Sequence, residues 1–112
     1  MKKFLVLYQS NTPANEQLAT ATTEEVKTGM QQWMKWAAQA DGAIVDLGSP
    51  VGHARHFTSP TEATSGNGHV GGFSILQAED EDGLRTLLLE HPHFKSPGAT
   101  LEVFEFLPLP GM

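Results

Sequence analysis

The chain has 112 residues and no cysteine, with thirteen acidic against seven basic side chains and a net charge of −6. That length holds one hydrophobic core, so a single domain over 1–112 is expected. An acidic surface repels phosphate backbones and anionic lipid heads, which argues against nucleic acid and membranes as partners. The lack of thiols removes disulfides, thiolate zinc sites and cysteine nucleophiles.

The opening apolar run, Phe4 to Tyr8, is shorter than the core of a secretory signal. No stretch reaches the roughly 20 apolar residues that cross a bilayer, and the cytoplasm is the expected compartment. Being apolar without alternation, the run reads as a central strand covered on both faces. After the turn cluster "SNTPAN" a helix is expected from Thr23-Glu24-Glu25 to Asp41-Gly42, where glycine supplies the stop. Val26, Met30, Trp33, Ala37 and Ala40 form its apolar stripe, with Met34 and Trp36 at the margins.

"AIVDLGSP" reads as a second strand, in which alternation puts Ala43, Val45 and Leu47 on one face and Ile44 and Asp46 on the other. Residues 48–69 are rich in Gly, Ser, Thr and Pro and show neither period. A long loop is expected there, of a length that is usually functional or mobile. "VGGFSILQ" is the third strand, with Gly71-Gly72 marking a bulge or a close backbone approach. The acidic run 79–82 suits a helix N-terminus. Leu84, Leu87, Leu88 and His91 share one stripe of the helix that follows, with His91 at its end because Pro92 cannot continue it. "ATLEVFEFLPLP" closes the chain as a fourth strand, terminated by Pro108 and Pro110.

Strand, helix, strand, strand, helix, strand is the order of an α+β, ferredoxin-like fold, an antiparallel sheet with two helices on one face. The other face stays bare and partly apolar, which marks an association surface. A homodimer through that open face is expected.

The stretches "KKFLVLYQ", "GAIVDLGSP", "GFSILQAEDEDGLRTLLLEHPHF" and "GATLEVFEFLPLP" resemble the YCII-related family, small bacterial proteins. The resemblance implies a dimeric α+β barrel. Some members carry a histidine on the first helix and an aspartate shortly after it, an acid/base pair in a barrel pocket. Here the place of that histidine falls on Gln31 or Gln32, and the aspartate matches Asp41 or Asp46. The Asp-Gly-Pro-Phe motif of a related branch is absent.

Acid/base work near neutral pH needs a histidine or a carboxylate of shifted pKa beside a partner in a dry cleft. Asp46, in an otherwise apolar strand, reads either as such a group or as a carboxylate bonding loop amides. His91 reads as a site histidine, as filler of the apolar stripe, or as a cation at a helix C-terminus, while His93 is expected to face solvent. On the long loop, His53, Arg55 and His56 are candidates to meet an anionic substrate. With His69 they are poor candidates for a metal, because their spacing in an irregular segment fixes no geometry. "GNGHVGG" precedes a strand and not a helix, so no nucleotide cradle is expected, and there is no nucleophile elbow. Neither cofactor nor metal is called for. The expected function is a small cofactor-independent enzyme moving protons on a small organic molecule, with Asp46 and His91 as catalytic groups. The alternative is a non-catalytic binding or structural module of the same fold, or an accessory protein to a larger enzyme or regulator.

Overall fold

The computed structural model describes residues 1–111. In chain order the elements are β1 (Lys2–Gln9), α1 (Ala14–Thr20), α2 (Thr23–Gln39), β2 (Ile44–Pro50), β3 (Arg55–Ser59), β4 (Glu62–Ser65), β5 (Val70–Ala78), α3 (Glu81–Leu88), a 3-10 turn (Pro92–Lys95) and β6 (Thr100–Glu105). The fold is α+β. Its main sheet is four-stranded and antiparallel, in the order β2-β5-β1-β6, and β3 and β4 pair separately.

The central place of β1 follows its apolar run, but only one of its faces is covered within the chain. Phe4, Val6 and Tyr8 point into the core with Leu76, Ala78, Trp36, Ala40 and Leu84. Their neighbours Leu5 and Leu7 lie on the opposite face, level with Phe104 and Glu102 of β6 and with Ile75 and Phe73 of β5. No helix buries that side, and all of these side chains keep part of their surface exposed. The expectation of a strand covered on both faces therefore fails for the single chain. One face of the sheet is dry and the other is a greasy surface open to solvent.

Helix α2 starts at a complete capping box. The Thr22 side chain accepts from Glu25 N–H at 3.1 Å, and the Glu25 carboxylate accepts from Thr22 N–H at 3.2 Å, an arrangement that contributes about 1 kcal/mol. The helix ends where Gly42 takes a φ of +80°, as expected from Asp41-Gly42. Only its second half packs on the sheet: Trp36 and Ala40 are buried, whereas Val26, Met30 and Met34 are exposed. The sequence stripe is thus correct in direction but overestimates how far the sheet reaches beneath it. Helix α1 lies where a turn was expected. It has no buried residue and meets the start of β5 at Gly71, where a Cβ would touch Ala14. Asp80 caps α3 by accepting from Gly83 N–H at 2.8 Å, and Arg85 pairs with Glu81 one turn back.

Residues 48–69 do not form one long loop. Strand β2 runs on to Pro50, and β3 and β4 make a hairpin joined at Pro60-Thr61. The hairpin bonds within itself and touches the rest of the molecule only marginally. Strand β2 also departs from simple alternation. Its pairing with β5 slips between Ile44 and Asp46 and again before Ser49, so Ile44 and Leu47 both pack against the core while Val45 turns outward.

Candidate functional site

The expected site rests on Asp46 and His91, and the fold gives them different work. Asp46 is exposed in the slipped part of β2, where its Oδ1 accepts from Gly48 N–H at 2.8 Å. This is the local carboxylate-to-amide bond that steadies a backbone irregularity. The slip sets Asp46 level with Ile75 on the open face of the sheet, away from the core side where His91 lies. Replacing Asp46 with alanine is expected to lower stability by about 1 kcal/mol, and with asparagine by less, because the amide oxygen still accepts. Urea denaturation of both variants measures the difference.

His91 does not end α3, which stops at Leu88. It stands at the start of the 3-10 turn and is only 2% exposed. Its ring is enclosed by Trp36, Trp33 and Tyr8, with centroids 4.2, 4.6 and 5.0 Å away. Both ring nitrogens are engaged. Nδ1 accepts from His93 N–H at 3.0 Å, which leaves the proton of the neutral ring on Nε2. Nε2–H then donates to the Tyr8 hydroxyl at 3.1 Å, Tyr8 donates to Ser74 Oγ at 2.8 Å, and Ser74 donates to the Leu47 carbonyl at 2.6 Å. This is a buried, one-way chain that ties the 3-10 turn, β1, β5 and β2 together.

Burial dominates the acid–base properties of the chain. Desolvation, helped by the nearby His93, pushes His91 down to about 4. Desolvation also pushes Tyr8 up to about 12, against a smaller opposing effect of the Ser74 hydrogen bond. Both groups are neutral around pH 7, and neither presents a free lone pair or a mobile proton to a substrate. His93 is half-buried and does not face solvent as expected. Its Nε2–H is shared between the Gln9 and Thr100 carbonyls at 3.0 and 2.9 Å, which pins the end of β1 to the start of β6.

The loop candidates do not join this cluster. Arg55 and His56 stand exposed on the hairpin, and alternation points them to opposite sides. Arg55 donates to the Ala63 carbonyl at 3.3 Å. His53 is exposed at the root of the hairpin with a φ of +52°, held through its backbone N–H by Asn15 at 3.2 Å. It lines a cleft of about 280 Å³ with Asn15, Leu18 and Val51, and no carboxylate shares that cleft. A larger cleft of about 480 Å³ lies between α3 and β6, over Phe4, Leu84 and Val103, and contains none of the five candidate residues. His69 Nδ1–H donates to the Ser10 carbonyl at 3.0 Å. Among the described residues no group of three or more His, Asp or Glu side chains is placed to hold a metal ion.

The parts that composition and spacing did not single out are Tyr8 and Ser74. One signal was available: in "VGGFSILQ" Ser74 shares the parity of Leu76, which marks it as a polar group on the buried face in need of a partner. No helix among the described residues is long and apolar enough to cross a membrane. No family model matches the chain, and no curated protein sequence matches it.

Proposed function

We propose that this chain is a non-catalytic module that works as a homodimer, two copies meeting through the open faces of their sheets as a dimeric α+β barrel of the YCII-related kind. With the hairpin set aside, the strand order β2-β5-β1-β6 supports a ferredoxin-like arrangement, the unit from which such a barrel is built. The observation that carries the dimer is the bare face itself. Leu5, Leu7, Phe73, Ile75, Phe104 and Phe106 lie together on a side that none of the described residues covers. Burying each of these side chains against a twin contributes on the order of 1 kcal/mol.

The non-catalytic reading is supported by the use the fold makes of the candidate acid and base. Asp46 serves a backbone amide, and both nitrogens of His91 are consumed inside the protein. Proton transfer on a small organic molecule by that pair has the weaker support. Small-molecule binding in the barrel remains compatible with this reading and needs no turnover.

Light scattering at micromolar concentration is expected to give the mass of two chains. Phe104→Glu is expected to weaken the dimer by roughly 100-fold, because a charge then replaces an aromatic side chain on the desolvated face. Phe104 is half-exposed in the single chain, so the monomer should keep its fold by circular dichroism. A wild-type chain that stays monomeric contradicts the proposal.

A further inference from the structure

The single chain is thinner and longer than its size requires. It measures 42 × 37 × 20 Å with a radius of gyration of 15.6 Å, against about 13 Å for a compact chain of this length. The hairpin β3–β4 is one part of the excess. A free two-stranded hairpin is marginal in water, yet this one pairs from Arg55 with Ser65 to Ser59 with Glu62, with one slip after Phe57, and its base is closed by Gly66 N–H donating to the Ala54 carbonyl at 2.9 Å. It carries a large aromatic side chain, Phe57, 63% exposed. Phe57 pairs with Ala63, and Arg55 lies on the same side of the hairpin.

The distribution of charge says what this side can face. Of the 22 residues from 48 to 69, only Arg55 and Glu62 are charged at neutral pH, in a chain of net charge −6. The ion pairs among the described residues are Lys2 with Glu105 and Arg85 with Glu81, which leaves the Arg55 guanidinium without a carboxylate. The open sheet face has the complementary defect. Glu102 sits level with Leu7, its carboxylate accepting only from the neutral Gln9 amide at 3.3 Å, and Asp46 sits level with Ile75, and covering that face would desolvate both carboxylates at a heavy cost unless a cation came with the cover.

We infer that the hairpin β3–β4 is an arm that reaches onto a second copy of this chain, with Phe57 as its apolar anchor and Arg55 meeting a carboxylate of that copy's open sheet face. This rests on the dimer proposed above and extends it: the two sheets supply the greasy contact, and the arms supply its cations and its clasp. The arm is pinned at its root, where Asn15 holds His53 N–H, so it starts from a fixed direction.

Sedimentation equilibrium of the full-length chain with Phe57→Ser and Arg55→Glu tests the arm. Each variant is expected to raise the dimer dissociation constant, Phe57→Ser by roughly tenfold or more, and Arg55→Glu by an amount that shrinks as salt is added. Because the arm hardly touches its own body, the urea stability of the dilute monomer should not change. Hydrogen exchange should find the β3–β4 amides protected at concentrations where the dimer forms and unprotected on dilution. A wild-type chain that never dimerises sinks the dimer and the arm together. A dimer that Phe104→Glu breaks, but that both arm variants leave intact with unprotected hairpin amides, overturns the arm alone.

Discussion

Gly48→Ala is expected to lower stability by on the order of 4 kcal/mol, among the largest effects a single methyl can have on a small domain. Gly48 has a φ of +84°, which alone costs an alanine about 1–2 kcal/mol. Its added Cβ would also overlap the carbonyl oxygen of Phe73 on the central strand β5. Backbone faces backbone there, so relief requires β2 to leave β5. Such a shift strips Ser74 of the Leu47 carbonyl. Typical domains have only about 5–15 kcal/mol in hand, so the melting temperature should fall by roughly 15–25 °C. Gly42→Ala is the control. Its φ is +80°, but its Cβ would meet nothing within 4 Å, so it should show the conformational cost without the overlap. Equal melting temperatures for the two variants would refute the overlap as the cause.

A slip in pairing explains why the faces of β2 do not follow simple alternation, as those of β1 and β5 do. In β1 and β5 the residues alternate cleanly between a buried and a half-covered face, although the apolar run of β1 shows no such alternation in its sequence. In β2 the register slips between Ile44 and Asp46 and again before Ser49, and a slip exchanges faces without leaving a mark on hydropathy. Helix α2 was legible at both ends because Thr22-Glu25 and Gly42 are local chemistry, complete within a few residues. Helix α1 and the hairpin bury little against their own chain, so they offer no period to find. The sequence marks His91 as a residue of the apolar side but places it on the helix, whereas it is buried from beyond α3, at the start of the 3-10 turn. Its partners were not readable, since Tyr8 is 83 positions away and only the sheet brings it close.

Stability is expected to fall by about 3 kcal/mol as the pH is lowered from 6.5 to 4, through His91 alone. The sign follows from its two states. Folded, His91 titrates at about 4; unfolded, near 6.5. Between those values the unfolded chain binds the extra proton, so stability is complete above pH 6.5 and drains away towards pH 4. Geometry gives the same answer. A proton added at Nδ1 would point at the His93 N–H, which now donates to that nitrogen, and a cation would be held among Trp33, Trp36 and Tyr8 with no carboxylate to receive it. Urea denaturation at pH 7 and pH 4.5 measures the slope, and His91→Phe isolates its source. That variant should be less stable at pH 7 by about 1–3 kcal/mol, because it leaves His93 N–H without an acceptor, yet its pH dependence should be flatter than that of the wild type. Nitrogen chemical shifts should place the wild-type proton on Nε2, the form that the chain through Tyr8 and Ser74 to Leu47 requires. A His91→Phe protein that loses stability with acid as steeply as the parent would move the origin of the slope elsewhere in the molecule.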